Sequence, residues 1–202
     1  MDDIVLRGMV KWPDVPAVFG WLQLDRRGQW LIRGSRVTNP AVSAFIGRNY
    51  ECDAAGRWFF QNGPQRVFVT LDYTPFVYRV VNAAEAPLAL EAHTGAAVTA
   101  VAGAWIDENG ATLIDTELGV GTVHDLDLER LLPSFAGAAG EALDDDALEQ
   151  QMGLVSKGDR AALALSFGGV NLKVAPIAAA DVPRRFGFIP DPAPPAGNEA
   201  CP

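Results

Sequence analysis

A four-residue pattern, Asp-x-x-Gly, occurs three times in the chain and constrains its fold more than any other feature. The three copies are Asp25–Gly28, Asp53–Gly56 and Asp107–Gly110. Aspartate at the first position accepts hydrogen bonds from the turn backbone, and glycine at the fourth adopts a positive φ without a steric penalty. Each quartet therefore predicts a type I turn with a bulge that closes an antiparallel β-hairpin.

The residues around the quartets are also alike. Tryptophan follows the glycine two residues later in the first two copies, at Trp30 and Trp58. A Leu-Ile pair follows the first and third copies at equal distances, at Leu31-Ile32 and Leu113-Ile114. Three matching hairpins indicate a repeated supersecondary unit. Chance similarity between short hairpin motifs is the alternative explanation.

Short helices are predicted after the first and third hairpins. A capping side chain, Asn39, precedes a proline at the first helical position and predicts a helix over residues 40–48. The apolar side chains that this helix is expected to bury are Val42, Phe45 and Ile46. Acidic residues in a first turn, which the helix dipole favours, predict a second helix over residues 125–132. A further helix is predicted over residues 2–11.

The order of the elements predicts the fold class. Strands are predicted over residues 19–24, 29–33, 57–61, 65–71, 76–80, 161–166 and 170–175. No strand–helix–strand pattern repeats, so we expect an α+β fold of two small modules, each with antiparallel hairpins and a short helix. The predicted divisions are a module at 1–82, a linker at 82–87, a module at 83–189 with a variable acidic insertion at about 133–159, and a disordered proline-rich tail at 190–202.

Charge and cysteine content narrow the classes of protein that the chain can represent. Its net charge is -9, but residues 1–80 hold ten Lys/Arg against seven Asp/Glu, and the remainder is strongly acidic. A protein with a net negative charge repels phosphate, which argues against nucleic acid as a partner. Cys52 and Cys201 fit neither a disulfide framework nor a metal site.

The N-terminal residues and the hydropathy pattern bear on localisation. The first charged residues are acidic, the reverse of the order in a secretory signal. No apolar run approaches the roughly 18 residues that a membrane span requires. The sequence therefore predicts a cytoplasmic protein with no membrane partner.

Several segments resemble a known family. They are Trp21–Trp30, Trp58–Val67, Tyr73–Phe76 and Pro183–Phe188, and together they resemble an uncharacterised family of proteobacterial proteins. The wider pattern of aromatic hairpins around a helix is also similar to a second, distant family of unknown function. That resemblance implies a two-domain α+β fold built from repeated motifs, with ligand binding or signalling as its expected role. Neither family supplies catalytic residues to transfer.

The strongest candidate site lies around the second hairpin. Arg66 beside aromatic rings is suited to hold a carboxylate or phosphate bidentately. We therefore predict a non-catalytic binding or regulatory protein for a small anionic ligand or a protein partner, with Arg66, Gln65, Trp58, Tyr73 and Asn62 as its ligand-binding residues. Turn chemistry is the alternative explanation for the Asn-Gly-Pro part of this motif. No catalytic, cofactor or metal motif is found in the sequence.

Two other functions remain open. An enzyme would require a dispersed acid–base site around His93 and His124 with nearby carboxylates, although helix capping also explains the carboxylates that follow His124. Single-stranded nucleic-acid binding would use arginines interleaved with Trp30 and Trp58. Those arginines are Arg26, Arg27, Arg33, Arg36, Arg48, Arg57 and Arg66.

Overall fold

The structure is a computed structural model that describes residues 1–11, 15–81, 87–159 and 161–194. The chain forms two compact units. The first comprises Met1–Pro75, His93–Gly95 and Gly187–Pro202, and the second comprises Phe76–Ala92 and Ala96–Phe186. Both units combine helices with a β-sheet, which confirms the predicted α+β class.

The described part of the first unit contains two helices and a six-stranded sheet. Its elements are α1 (Asp3–Lys11), β1 (Val18–Leu24), β2 (Trp30–Ile32), β3 (Ser35–Arg36), α2 (Pro40–Arg48), β4 (Tyr50–Cys52), β5 (Trp58–Asn62) and β6 (Gln65–Leu71). The strand order is β3-β2-β1-β6-β5-β4, with β1 and β6 parallel and the other neighbours antiparallel. Helix α2 begins at Pro40, as predicted, because the Asn39 side chain accepts a hydrogen bond from the Ala41 N–H at 2.9 Å.

The described part of the second unit contains an eight-stranded sheet with short helices. Its strands are β7 (Phe76–Val80), β8 (Leu90–Ala92), β9 (Val101–Ile106), β10 (Thr112–Thr116), β11 (Gly119–Val123), β12 (Phe135–Gly137), β13 (Leu163–Phe167) and β14 (Val170–Pro176). Its α-helices are α3 (Leu128–Leu131), α4 (Asp145–Ser156) and α5 (Val182–Phe186), and 3₁₀ turns lie at Asp125–Asp127, Leu132–Ser134 and Ala179–Asp181. The strand order is β12-β13-β14-β9-β10-β11-β7-β8.

All three Asp-x-x-Gly quartets form the predicted hairpin turns. They join β1 to β2, β4 to β5, and β9 to β10. In the first, Asp25 Oδ1 accepts hydrogen bonds from the N–H groups of Arg27 and Gln29 at 2.9 and 2.8 Å. Asp53 and Asp107 bind the equivalent backbone groups of their own turns. Glycine ends each quartet with a φ between 74° and 80°, the left-handed region that a side chain would strain.

The two units repeat one topology, which confirms the predicted repeated motif. The sequence β1-β2-β3-α2-β4-β5-β6 matches β9-β10-β11-α3-β12-β13-β14, and the six strands are ordered alike in both sheets. The register of the parallel strand pair also agrees between the units. The residue before the turn aspartate pairs with the last residue of the parallel strand, Leu24 with Leu71 in the first unit and Ile106 with Pro176 in the second. Strands β7 and β8 are additions to the second sheet.

One feature differs from the sequence prediction, while the predicted division and linker stay predictions. The segment 133–159, predicted as a variable insertion whose acidic stretch could hold a short helix, contains the twelve-residue helix α4 and also supplies strand β12 to the sheet. Strand β7, which lies before the predicted division, pairs in parallel with β11 of the second unit. The division between residues 82 and 83 stays a prediction. The predicted linker falls largely on residues 82–86, outside the described part of the chain.

The segment after α5 also differs from the prediction of a disordered tail from residue 190. The Leu71 N–H donates to the Pro190 carbonyl at 2.7 Å, and the Thr70 hydroxyl donates to Asp191 at 3.1 Å. These bonds fix the start of the predicted tail against the end of β6, where the Leu71 N–H finds its backbone acceptor in Pro190. Residues 195–202, which include Cys201, lie outside the described residues.

Candidate ligand-binding pocket

One face of the first sheet carries a pocket beneath helix α2. Strand side chains alternate between the faces of a sheet, so Phe60 of β5 and Val67 of β6, which are paired in register, lie on the same side. Helix α2 rests on this side through Phe45, whose ring meets that of Phe60 edge-on at 5.5 Å. The helix anchors at its C-terminal half, where Ile46 is 2% exposed, and leaves Val42 at its N-terminal half 41% exposed.

The space that this arrangement leaves has a volume of about 590 Å³. It is lined by Pro16, Ala17, Val18, Trp21, Leu22, Ile32, Val42, Phe45, Ile46, Phe60, Asn62, Gln65 and Val67. The polar residues among these are Asn62 and Gln65, and none of the lining residues is charged. Gln65 is held in place by a hydrogen bond from its Nε2 to the Pro16 carbonyl at 3.3 Å. The pocket is therefore an apolar cavity with two amides.

The predicted burial of Val42 is wrong. Its exposure marks the pocket, which was not predicted from the sequence. Trp21, Ile32 and Val42 are 37%, 44% and 41% exposed, and all three line the pocket. Helical periodicity places Val42 on the same face as Ile46 but does not show whether the sheet fills the space beneath it. The sequence signal that was available is the apolar run Val18–Leu22, whose side chains are too apolar for a strand with one solvated face.

The structure brings together two of the five predicted ligand-binding residues. Asn62 and Gln65 line the pocket. Arg66 follows Gln65 on β6 and faces the opposite side of the sheet, where its guanidinium carbon lies 4.6 Å from the centroid of the Phe59 ring. Trp58 packs beside Tyr50, with ring centroids 4.8 Å apart. Tyr73 is buried and carries the guanidinium of Arg26 at 4.2 Å.

The arginine-rich surface is organised mainly by intramolecular stacking. The guanidinium carbons of Arg57 and Arg33 lie 4.7 and 3.6 Å from the ring centroids of Phe68 and Trp21. Trp30, which single-stranded nucleic acid would need as a stacking platform, is only 2% exposed. Trp30 is therefore not available for the base stacking that the nucleic-acid hypothesis assigns to it.

Comparison with known sequences identifies the family. The model of the family DUF2944, described as "Protein of unknown function (DUF2946)", matches residues 1–193. The chain belongs to the DUF2944 family. This confirms the resemblance to an uncharacterised family, and the family description assigns no activity, so the function is unknown. No curated protein matches the sequence.

Two solved structures are similar to the DUF2944 chain. A DUF1285 family protein from Silicibacter pomeroyi DSS-3 is 16% identical, with a TM-score of 0.51 over 81% of this chain and 85% of its own. A DUF1285 family protein from Shewanella baltica OS155 is 15% identical, with a TM-score of 0.39 over 54% of this chain and 87% of its own. The first likeness supports the shared α+β fold and carries no information about activity.

Each histidine of the DUF2944 chain has a structural environment within its own unit. His93 packs against Trp30 in the first unit, with ring centroids 5.1 Å apart, and burial lowers its pKa to about 3. His124 caps the 3₁₀ turn of the second unit, where its Nδ1 accepts the Leu126 N–H at 3.1 Å. Among the described residues, no group of three or more His, Cys, Asp or Glu side chains is placed to hold a metal ion. No helix in the described part of the chain has the length and apolar character to cross a membrane.

The carboxylates after His124 are also used structurally. Asp127, which is 3% exposed, accepts the Val80 N–H at 3.1 Å and pairs with the guanidinium of Arg79. Burial raises the pKa of Asp127, but the hydrogen bonds from Arg79 and Val80 outweigh it and hold the pKa below its ordinary value. Asp127 therefore fixes β7 to the turn before α3.

We expect Asp127→Asn to lower the free energy of unfolding by about 2 kcal/mol, because hydrogen bonds to a charged group contribute roughly 1.5–3 kcal/mol and the amide keeps only part of them. Urea denaturation at neutral pH measures the loss. The matched variant is Asp125→Asn, two residues earlier and half exposed, which should cost less than about 1 kcal/mol. Equal losses in the two variants would contradict the role given to Asp127.

Proposed function

We propose that this protein is a non-catalytic binding protein whose first unit takes up an apolar small molecule in the pocket beneath α2. The observation that carries the proposal is the volume of about 590 Å³ lined almost wholly by apolar side chains. Small-molecule sites in proteins typically enclose roughly 300–1,000 Å³ and combine apolar walls with a few polar groups. Asn62 and Gln65 are the polar groups here.

The pocket opens to solvent, and its apolar lining distinguishes it more than its volume does. Leaving Trp21, Ile32 and Val42 partly exposed forgoes hydrophobic stabilisation of about 25 cal/mol for each Å² that could be buried. A cluster of exposed apolar side chains that lines a concave surface is typical of a binding site.

The pocket favours a different ligand from the one predicted at Arg66. That arginine stacks on Phe59 and donates from its Nε to Gln61 at 3.4 Å, on the face of the sheet away from the pocket. Asn62 and Gln65 stay in the proposed site, where their amides can orient a polar group of the ligand. The ligand proposed here is therefore recognised mainly by its apolar surface.

Titration with Nile red, an uncharged dye whose fluorescence rises in apolar surroundings, tests this proposal. We expect saturable, blue-shifted fluorescence with the wild type. We also expect Val42→Trp to weaken binding at least roughly tenfold, because the larger side chain fills the rim of the pocket, and tenfold corresponds to about 1.4 kcal/mol. Since Val42 is already 41% exposed, the substitution does not overpack the core.

The matched variant is Val170→Trp in the second unit, which makes the same replacement at a residue that is 58% exposed and lies outside the pocket. It should bind Nile red as the wild type does. The proposal fails if the wild type gives no saturable signal, or if Val42→Trp and the wild type bind the dye equally.

The cytoplasmic placement predicted from the sequence belongs with this proposal. Among the residues that the structure describes, the exposed Cys52 has no disulfide partner. Reduced thiols persist in compartments that glutathione and thioredoxin keep reducing. The Cys52 thiol therefore supports the proposed cytoplasmic location.

A further inference from the structure

We propose that the ligand is an amphipathic carboxylate, with its apolar chain in the pocket and its anionic head bound by Arg33 at the rim. This inference rests on the proposed function and adds the chemical class of the ligand. Arg33 is not among the residues that line the pocket, but it lies directly on one that is, Trp21.

The position of Arg33 is fixed by its backbone and by its side chain. It lies in the turn between β2 and β3, where its N–H donates to the Trp21 carbonyl at 2.8 Å. Its guanidinium carbon lies 3.6 Å from the centroid of the Trp21 ring, well within the range of a cation–π contact. One indole ring thus serves as the pocket wall and as the support of a cation.

The backbone at Arg33 is unusual for this residue type. With a φ of 50°, Arg33 is the one non-glycine residue in the left-handed region among those that the structure describes. That conformation costs a residue with a Cβ about 1–2 kcal/mol, and glycine would avoid the cost. The turn does not require arginine at this position. We therefore attribute the presence of arginine to the interaction of its side chain with Trp21.

The charge of Arg33 is not neutralised by an acid of the described chain. Arg48, Arg57 and Arg79 pair with Asp2, Asp53 and Asp127 respectively. No described carboxylate pairs with Arg33, and none of the pocket's lining residues is acidic. The planar guanidinium keeps N–H donors in the geometry that a carboxylate binds bidentately.

An apolar cavity with a cation at its rim matches a molecule that has the same two parts. The chain of such a ligand gains its binding energy from apolar burial in the pocket. An anionic head that stays at the solvated rim gains a modest electrostatic term, since exposed ion pairs contribute little individually. A cationic head on the same chain would be repelled by Arg33.

Displacement of Nile red by decanoate, decanol and decylamine at low ionic strength tests the inference. These probes share one chain length and carry an anionic, a neutral and a cationic head. Wild type, Arg33→Gln and Arg36→Gln are compared, because Arg36 is an exposed arginine on the adjacent strand that pairs with Leu31, away from the pocket face.

We expect the wild type to bind decanoate more tightly than decylamine. Arg33→Gln should weaken decanoate binding by roughly three- to tenfold and leave decanol binding unchanged. Arg36→Gln should behave as the wild type. If decanol displaces the dye but decanoate has no advantage that Arg33→Gln removes, the anionic head is wrong while the apolar pocket stands. If neither the dye nor decanol binds the wild type, both proposals fall.

Discussion

Gly56→Ala is expected to lower the free energy of unfolding by about 3–4 kcal/mol. Gly56 has a φ of 78°, and a Cβ at this position would lie 2.2 Å from the carbonyl oxygen of Gly187. The strained φ accounts for about 1–2 kcal/mol, and the clash, which is with backbone, adds an overpacking cost of comparable size. The clash also displaces Ile189, whose N–H donates to the Gly56 carbonyl at 2.9 Å.

Gly110→Ala is the matched control for this expectation. Gly110 ends the same type of turn in the second unit with a φ of 80°, but a Cβ there would have no atom within 4 Å. It should therefore show the backbone cost alone, about 1–2 kcal/mol. Urea denaturation followed by tryptophan fluorescence measures both variants. Equal losses would show that Gly187 yields to the new methyl group and that the segment after α5 is not fixed as described.

The second large effect is a loss of stability in acid that depends on His93. As a residue His93 is half-buried, but its Nε2 is inaccessible to solvent and its ring packs between Trp30 and Tyr50. Burial lowers the pKa of His93 from 6.5 to about 3. Between these two pH values the unfolded chain binds one more proton at this site than the folded chain does. Stability therefore falls as the pH drops through this window, by up to about 1.4 kcal/mol per pH unit.

His93→Phe isolates this contribution because phenylalanine keeps a ring beside Trp30 and cannot be protonated. Between pH 6 and pH 4 we expect the wild type to lose about 2 kcal/mol more than the variant, which allows for partial relaxation around the charged ring. The measurement is urea denaturation of both proteins across this range. Parallel stability curves would mean that His93 takes up its proton in the folded protein as readily as in the unfolded one.

Much of the fold could be predicted because its signals are local. A turn such as Asp107–Gly110 is specified by one side chain that binds the turn backbone and one glycine that permits its φ. The start of α2 is likewise specified by Asn39 and Pro40. The repeat of these short signals was sufficient to indicate a repeated unit, because each acts over only a few residues.

The parallel pairings could not be predicted from hairpin chemistry. Strands β1 and β6 are about forty residues apart in the chain, and no turn residue records that they are neighbours. The same holds for β12, which lies in a Gly/Ala-rich acidic segment and becomes a strand because β13 offers it an edge. Local propensity gives way to tertiary pairing at such positions.

Only part of the candidate pocket could be predicted from the sequence, because its lining also depends on tertiary packing. Gln65 and Arg66 are adjacent in sequence, but strand alternation sends them to opposite faces, and only Gln65 reaches the pocket. The pocket lies on the face against which α2 packs, because the helix buries Ile46 there and leaves Val42 partly exposed. Nothing in the sequence indicated the role proposed for Arg33, because that role depends on its contact with Trp21.

Methyl NMR during titration with decanol is the most direct test of ligand binding in the first-unit pocket. Binding there predicts that the methyl signals of Leu22, Ile32, Val42, Ile46 and Val67 shift together to saturation. Those of Leu163 and Leu165, in the core of the second unit, should stay unchanged. Shifts confined to Ile4 and Val10, the exposed apolar side chains of α1, would contradict binding in the pocket, as would the absence of any saturable shift.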